Sequence, residues 1–482
     1  MGNNQAKETT QAPPTSTTHE DVTIEFRSDV VNPASPDAKV VIVTGKDLQV
    51  SPLSAAETQS LTDETLSLIS SLSDTDLNPA FRCKAWDGVS GYSDLIQEGL
   101  RYLKREESNV VMIYESHSSS AAQDTSFYND QVFKFHDWPP APSTYKGVLG
   151  PCRYSLVNGA SFPSYLKGGA PPAGLLQHWQ DFVPGYVAPR FVSKVTDDDC
   201  VYAYLPLESV EHHVNDPHVH YHLAGKDALP LMTQKTTKLL NNTSHRPCVA
   251  KTTHSMASKG IFVIRDDEDE AEFNAFLKES GNPSFVVTEL VEIARNVACH
   301  FFIHPNGEVT WFGSNENRRD ANGNFTMDSY LIMKDQEHLR QIQLPFVKDI
   351  VAYCQSLGFW GFCGIDVLFD SSGKGHLVDL NPRVTGSCPS LMIAHRLREK
   401  YGYEIGLFRR HGDNCYYGSE EAMYAHVAEY NKTHEGQSQI IIFSALESRP
   451  GYTYMNIGVY GNDLDECMTI LNEFARPKPP AE

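Results

Sequence analysis

The sequence contains no apolar run near the roughly 20 residues that a membrane-spanning helix needs. Its first residues, MGNNQAKETTQAPPTSTT, have no apolar signal core. The ten cysteines are scattered and include no C-x-x-C pair, which argues against a disulfide framework and a zinc site. We therefore expect a cytoplasmic protein with free thiols.

Basic charge is also scarce, since 40 Lys and Arg residues stand against 61 Asp and Glu residues and give a net charge of −21. Such a surface repels nucleic acids and anionic membranes, so we expect neither as a partner. The charge balance does not argue against a local basic pocket for phosphate groups.

What the sequence does contain is an alternation of strand and helix patterns, and its 482 residues suffice for roughly three domains. Residues 1–35 are rich in Thr, Gln, Pro and Ser, which predicts a disordered segment. The apolar runs KVVIVTG (39–45) and NVVMIYE (109–115) read as buried strands, with a helix predicted over 93–107. This order predicts an α/β domain with a parallel sheet. Residues 135–190, rich in Pro, Gly and aromatics, are expected to be mostly irregular.

The stretch GIDVLFDSSGKGHLVDLNPR (364–383) predicts a hairpin with its turn at Ser372 and Gly373. Asp366 would then lie opposite Asp379, with Cβ atoms about 4.5–5.5 Å apart. Asn381 would share a face with Asp379, because side chains alternate along a strand. Two carboxylates and an amide oxygen on one face are oxygen ligands that suit Mg²⁺ better than zinc.

The stretch VAKTTHSMASKGIFVI (249–264) places Lys251 in a strand before a small, flexible loop. Such a loop can offer backbone N–H groups to a triphosphate. By itself this motif is more often a solvated hairpin edge. In TELVEIARN (288–296), Glu289 could accept a hydrogen bond from a purine amino group and Asn296 could face the ribose.

The order of these parts resembles the ATP-grasp superfamily of carboxylate–amine or carboxylate–thiol ligases, over about residues 226–400. What this resemblance implies for single residues is as follows: metal ligands Asp366, Asp379 and Asn381; a transfer-stabilising arginine, Arg383; a phosphate-binding lysine, Lys251; a loop over the triphosphate with Ser258, Lys259 and Gly260; an adenine hinge of Glu289, Leu290 and Val291; a ribose contact at Asn296; and a first ATP-contacting lysine at Lys226, with Lys235 as the alternative.

The resemblance also implies a division of the chain. An α/β substrate domain would span residues 36–225, a small ATP-grasp lobe 226–291 and a large lobe with the metal site 292–412. Residues 413–482 would complete or cover the large lobe. The expected cofactors are ATP and Mg²⁺, with Mn²⁺ as a substitute, and many relatives are homodimers.

The reaction implied is the joining of a small carboxylic acid to an amine through an acyl phosphate, with release of ADP and phosphate. Two alternatives stay open at this point: a kinase that stops at phosphoryl transfer to a small metabolite, and a non-catalytic nucleotide-binding protein. Product analysis distinguishes a kinase from a ligase. The presence of all the metal ligands together with Arg383 and Lys251 argues against a non-catalytic protein.

Two further groups of side chains invite a functional interpretation. His218, His220 and His222 recur at period two and would share one strand face, where three imidazoles could bind zinc; structural or pocket histidines are the more common outcome. Arg318 and Arg319 could bind a substrate carboxylate, although exposed arginines more often belong to solvated loops.

Overall fold

The computed structural model describes residues 81–105, 107, 109–114, 132–135, 149–255, 260–281, 283–319, 325–410 and 414–477, together with the backbone of three strands nearer the N-terminus. In chain order the strands are β1 Val22–Glu25, β2 Val41–Thr44, β3 Ser51–Pro52, β4 Cys83–Ala85, β5 Val110–Ile113, β6 Ser164–Tyr165, β7 Phe191–Val192, β8 Cys200–Ala203, β9 Cys248–Thr252, β10 Ile261–Ile264, β11 Phe285–Glu289, β12 Ile293–Ile303, β13 Val309–Arg319, β14 Phe325–Ile332, β15 Gly361–Asp370, β16 Gly375–Asn381, β17 Ile405–Arg409, β18 Asn414–Tyr417, β19 Gln439–Arg449, β20 Tyr452–Gly461 and β21 Arg476–Pro477. The helices are α1 Tyr92–Tyr102, α2 Gly150–Ser155, α3 Ala173–Phe182, α4 Pro217–Leu223, α5 Leu229–Met232, α6 Asp267–Glu279, α7 Gln336–Ser356, α8 Cys388–Tyr401, α9 Glu420–Thr433 and α10 Leu464–Phe474, with a 3₁₀ turn at Met333–Asp335.

The N-terminal part contains two small sheets. Strands β1, β2 and β3 pair antiparallel, and β1 lies inside the segment predicted to be disordered. Strands β7, β6, β5 and β8 form the predicted parallel sheet, which contains the run at 109–115. The run at 39–45, expected in the same sheet, instead supplies β2 of the antiparallel sheet. All four residues of β5 are buried, which is typical of a parallel strand covered on both faces.

The second region is a three-stranded antiparallel sheet in the order β10–β9–β11, covered by α6. Phe273 and Phe276 of α6 pack against the apolar face of this sheet. Asp266 begins the helix, because its side chain accepts hydrogen bonds from the backbone N–H groups of Glu268 and Asp269. The acidic first turn also suits the positive end of the helix dipole.

In the described part of the chain, eleven strands form one large sheet. Its order is β16–β15–β12–β13–β14–β17–β20–β18–β21, with β19 beside β20 and β4 beside β13. Helices α7 and α8 pack against it. The strands of residues 414–477 are thus hydrogen-bonded into the same sheet as the predicted metal hairpin.

A further structural expectation from the sequence is wrong. Residues 217–223 form helix α4 rather than a strand, so the buried His220 lies on a different face from the exposed His218 and His222. Asp216 caps this helix and Pro217 takes its first position, two start signals that outweigh the period-two pattern. Residues 149–190 are mostly irregular, as expected, although they contain the short elements α2 and β6 and the helix α3.

Across the ranges described above, the structure contains no cluster of three or more His, Cys, Asp or Glu side chains placed to hold a metal ion. Within the same ranges, no helix combines the length and the apolar character needed to cross a membrane.

Candidate active site

A cavity of about 350 Å³ lies where the small antiparallel sheet, the metal hairpin and the N-terminal part of the chain meet. Its lining includes ten residues singled out from the sequence: Lys226, Lys251, Glu289, Leu290, Val291, Asn296, Asp366, Asp379, Asn381 and Arg383. Lys235, the alternative first lysine, does not line it and instead forms an ion pair with Asp349. Ser258 and Lys259 lie outside the described residues, and Gly260 is buried beside strand β9 without lining the cavity.

The predicted metal hairpin is present in the predicted register. Strands β15 and β16 pair antiparallel, and Asp366 lies opposite Asp379. The turn uses Gly373 at φ +83°, whose N–H donates to the carbonyl of Asp370 at 2.9 Å. The pairing shifts between Asp366 and Val367, a bulge of the kind that re-aims side chains beside functional sites.

The two carboxylates of this hairpin destabilise each other in their ionised forms. Burial, and next the negative charge of Asp379, raise the pKa of Asp366 to about 7, and the cations Arg410, Arg383 and Lys226 only partly offset this. Lys226 Nζ lies 3.5 Å from Asp379 Oδ1. A divalent cation between the carboxylates would relieve their repulsion.

The third predicted metal ligand has its amide turned the other way round. Asn381 Nδ2 lies 3.4 Å from Asp366 Oδ2 and 3.4 Å from Asp379 Oδ2, while its Oδ1 accepts a hydrogen bond from Arg383 Nη2 at 2.6 Å. A cation would bind the amide oxygen, which requires a half turn of the amide plane. With that turn, the three side chains offer the hard oxygen donors that Mg²⁺ prefers, so the residues fit the metal.

Two buried lysines stand beside the carboxylates. Lys226, 5 % exposed, follows α4 and donates from Nζ to the carbonyl of Ser255 at 3.2 Å. Lys251, 8 % exposed, lies in β9, and its burial, then the nearby charge of Lys226, lowers its pKa to about 8 despite Asp379. Two neighbouring buried ammonium groups make this part of the cavity suited to a polyanion.

The opposite end of the cavity is suited to a purine. Strand β11 ends at Glu289, which exchanges hydrogen bonds with the backbone of Lys238, and Leu290 and Val291 follow as a short open segment. The apolar side chains that line this end are Val249, Ile261, Val263, Ile293 and Leu368. Asn296 Oδ1 is buried here without a hydrogen-bond partner among the described residues, so it offers an acceptor for a ligand hydroxyl.

The sequence analysis did not predict the residues that line the end of the cavity beyond the metal hairpin. Arg153 and Tyr154 of α2, Tyr204 after β8, and Arg410 after β17 line it together with Arg383. Arg383 Nη1 donates to the Tyr204 hydroxyl at 2.6 Å, and its guanidinium lies 4.6 Å from the centre of that ring. Arg153 Nη2 donates to the Tyr154 hydroxyl at 2.7 Å. A basic residue inside the apolar, aromatic run GPCRYS is the signal that could have pointed here.

The predicted substrate arginines have a different role. Arg318 lies in β13 rather than in a loop, and its Nη1 is 3.3 Å from Asp328 Oδ2. Arg409 makes a second, bidentate ion pair with the same carboxylate. The side chain of Arg319 lies outside the described residues.

His300 is a buried, neutral side chain that fixes the segment after the metal hairpin. Burial lowers its pKa to about 4. Its Nε2 lies 2.7 Å from Asn315 Oδ1 and therefore donates, so Nδ1 accepts from the hydroxyl of Thr385. This bond anchors residues 382–387, which carry Arg383 and Gly386 into the cavity.

Comparison with known proteins bears on the nucleotide and metal parts of this cavity. Residues 230–381, about a third of the chain, match the family described as "L-aspartate--L-methionine ligase, ATP grasp". The match confirms the resemblance to the ATP-grasp superfamily and the α/β fold class. No curated protein sequence matches the chain.

Several solved structures are similar in outline. Carboxyaminoimidazole ribonucleotide synthase from Aspergillus clavatus complexed with ATP is 12 % identical, with 76 % of this chain and 97 % of that chain covered and a TM-score of 0.45. N5-carboxyaminoimidazole synthetase from Staphylococcus aureus with ADP is 13 % identical, with 76 % and 97 % covered and a TM-score of 0.43. The biotin carboxylase domain of 2-oxoglutarate carboxylase from Hydrogenobacter thermophilus is 10 % identical, with 82 % and 91 % covered and a TM-score of 0.40. At these scores the likenesses carry no argument, and the assignment rests on the sequence match.

Proposed function

We propose that this ATP-dependent carboxylate–amine ligase, whose residues 230–381 match an ATP-grasp family, acts on amino acids. It would join the carboxyl group of one amino acid to the amino group of another through an acyl phosphate. The substrate class is supported by the matched family, which is described as an aspartate–methionine ligase. It is also supported by the arginine-rich end of the cavity, which suits small carboxylates.

One observation carries the proposal. One cavity is lined by two buried lysines and a carboxylate pair: Lys226, Lys251, Asp366 and Asp379. Arg383 lines the same cavity and donates a hydrogen bond to Asn381 of the metal hairpin. A nucleotide with its base at the Glu289 end would place its triphosphate among the lysines. Its γ-phosphate would then lie between the metal ligands and Arg383.

The first step is phosphoryl transfer to the acid. A carboxylate oxygen of the substrate forms a bond to the γ-phosphorus, the bond from that phosphorus to the β–γ bridging oxygen breaks, and ADP leaves with the electron pair. Lys226, Lys251 and Arg383 stabilise the negative charge that spreads over the phosphoryl oxygens. Mg²⁺ held by Asp366, Asp379 and Asn381 would neutralise further phosphate charge, and Mn²⁺ accepts the same oxygen ligands.

The second step is amide formation. The amine nitrogen attacks the acyl carbon, the carbon–oxygen bond to phosphate breaks, and the nitrogen loses a proton, giving the amide and inorganic phosphate. This route needs no protein nucleophile, and no cysteine lines the cavity among the described residues. Arg383 lies between the metal hairpin and the arginine-rich end. It can therefore stabilise the negative charge of the γ-phosphate in the first step and of the departing phosphate in the second.

The experiment is a screen of the purified protein with ATP, Mg²⁺ and pairs of L-amino acids, with ADP release followed by a coupled assay and products identified by mass spectrometry. We expect a dipeptide and one ADP for each dipeptide formed. A phosphorylated acid that accumulates, with no amide when an amine is present, would identify a kinase instead.

Lys226 and Lys235 offer a matched pair of variants for this screen. Lys226→Ala removes a lysine from the cavity, whereas Lys235→Ala removes one that pairs with Asp349 outside it. We expect the first to lose turnover and the second to keep it; the reverse order would move the first ATP-contacting lysine to Lys235. The homodimer and the cytoplasmic location stay predictions, to be checked by sedimentation velocity and cell fractionation.

A further inference from the structure

The hydroxyl groups of Tyr154 and Tyr204 lie in a chain of hydrogen bonds between two arginines. Arg383 Nη1 donates to the Tyr204 oxygen at 2.6 Å, and Arg153 Nη2 donates to the Tyr154 oxygen at 2.7 Å. The two hydroxyl oxygens lie 3.4 Å apart, with Tyr154 as the donor. Both tyrosines line the end of the cavity beyond the metal hairpin.

The protons along this chain outnumber the acceptors by one. A guanidinium group only donates, so both ends of the chain supply protons and neither end accepts one. The Tyr204 oxygen accepts from Arg383 and from Tyr154, and its own proton has no acceptor among the described residues. If the long contact between the two oxygens is not formed, the Tyr204 proton still has no acceptor there.

Tyr204 is placed to give this proton to a ligand. It is 8 % exposed, whereas Tyr154 is 1 % exposed, and it lines the cavity. A buried hydroxyl proton without an acceptor is unfavourable, because most buried polar groups in folded proteins are paired. A ligand oxygen beside Tyr204 would relieve this cost.

Both tyrosines are held by regular elements of the fold. Tyr154 lies in α2, and Tyr204 directly follows β8, the neighbour of β5 in the parallel sheet. The carbonyl of Leu149, just before α2, accepts hydrogen bonds from Ser444 Oγ at 2.8 Å and from Asn456 Nδ2 at 3.0 Å. A donor fixed in this way needs little reorganisation when charge develops on a ligand.

Arg383 determines where the Tyr204 hydroxyl lies in relation to the proposed reaction. Its guanidinium donates to Asn381 of the metal hairpin through Nη2 and to Tyr204 through Nη1. The hydroxyl is therefore on the far side of Arg383 from the metal ligands. In the proposed arrangement the phosphates lie among the lysines and the metal ligands, so the far side faces the acyl group.

We propose that Tyr204 is a catalytic residue of the second step, in which its hydroxyl donates a hydrogen bond to the oxygen of the acyl group. The inference rests on the proposed function, since it takes amide formation from an acyl phosphate as given. When the amine nitrogen forms its bond to the acyl carbon, the π electrons of the C=O bond move onto the oxygen. The Tyr204 hydroxyl stabilises that charge, and this bond is stronger to the oxyanion than to the carbonyl.

The remaining bond changes complete the step. The C=O bond forms again as the bond from the acyl carbon to the phosphate oxygen breaks, and the electron pair leaves with the phosphate. The departing phosphate takes the proton of the amine nitrogen, and Tyr204 keeps its own proton throughout.

The test measures the two steps separately by rapid quench, with the protein in excess over radiolabelled ATP, Mg²⁺ and the amino-acid pair found in the screen. ADP formation reports the first step and dipeptide formation the second. Tyr204→Phe removes the hydroxyl and keeps the ring, while Arg383 keeps its bonds to Asn381 and to the carbonyl of Val384. We expect ADP formation within about threefold of wild type and dipeptide formation slower by about 100-fold or more, the loss typical of one oxyanion donor.

Tyr202→Phe is the matched control. The Tyr202 hydroxyl accepts a hydrogen bond from the Phe362 N–H at 3.0 Å, and Tyr202 does not line the cavity. Each variant loses one buried tyrosine hydroxyl, so a general effect of lower stability would appear in both. We expect both steps of Tyr202→Phe to run at wild-type rates well below its melting temperature.

The outcomes separate the two proposals. Dipeptide formation at the wild-type rate in Tyr204→Phe would overturn the Tyr204 assignment and leave the ligase proposal intact. Equal slowing of both steps would also overturn it, because Tyr204 would then act only by positioning Arg383. A wild-type protein that forms ADP but no dipeptide with any pair would sink the ligase proposal, and the Tyr204 assignment with it.

Discussion

The pKa of Lys251 predicts how ATP binding depends on pH. Burial, and then the charge of Lys226, lower this pKa from 10.5 to about 8 in the free protein. A bound triphosphate favours the protonated lysine and raises its pKa again. Above pH 8 the free protein has mostly lost the proton that the complex needs, so ATP affinity must fall as the pH rises.

The magnitude follows from the same two values. Each pH unit between about 8 and 10.5 corresponds to about 1.4 kcal/mol, so the effect reaches at most about 3 kcal/mol. Between pH 8 and 9.5 the dissociation constant should rise by more than about tenfold. Asp366, with its pKa raised to about 7, is mostly ionised throughout this window and contributes little to the slope.

The assay is isothermal titration with a non-hydrolysable ATP analogue and saturating Mg²⁺ from pH 8 to 9.5. Two buffers of different ionisation enthalpy would count the proton taken up on binding. Lys251→Arg keeps its charge over this range, so its affinity should not change with pH. Lys235→Arg, outside the cavity, should keep the wild-type slope. Equal slopes in wild type and Lys251→Arg would refute the assignment.

Three further predictions follow from the same contacts. Asp379→Ala and Asn381→Ala should each lower kcat/KM roughly 100-fold or more while circular dichroism and the melting temperature show an intact fold; near-normal turnover with Mg²⁺ would contradict the metal assignment. Lys251→Met should abolish ATP binding. It should also stabilise the ligand-free protein at pH 7 by about 1–3 kcal/mol, because it removes a buried charge. A lower urea denaturation midpoint in this variant would show that the buried charge does not destabilise the protein. Trp179→Phe should lower the free energy of unfolding by about 1–3 kcal/mol, since its indole N–H donates to the carbonyl of Ile442 at 2.8 Å in a buried setting; an unchanged value would mean that this bond is not formed.

The elements predicted correctly are those whose information is local. The hairpin at 364–383 combines two apolar runs with a glycine turn, so its register follows from the sequence itself. The helix over α6 carries its own acidic start and its own apolar stripe. Lys251 could be placed in a strand for the same reason.

The elements that were missed depend on distant partners. Helix α3 lies in a run rich in Pro, Gly and aromatics, and it forms where its buried side chains meet β19. Arg153 and Arg410 come together only because β19, β20 and β17 share one sheet. Their distance along the chain does not indicate that these two side chains line the same end of the cavity, so this arrangement could not be predicted from sequence patterns. The His218–His222 segment failed differently, because a local capping signal was overlooked.

The hydrogen bond between Trp179 and Ile442 has a consequence for folding during synthesis. Its two partners stand 263 residues apart. At roughly 5–20 residues per second, the ribosome delivers β19 some ten seconds to a minute after α3. During that delay the apolar face of α3 has nothing to pack against, and strand β20, which holds β19 in the sheet, comes later still. A chain released before β19 would therefore carry the residues proposed to bind the nucleotide but lack the strands that hold α2 at the arginine-rich end of the cavity. Such a chain is a candidate for chaperone capture.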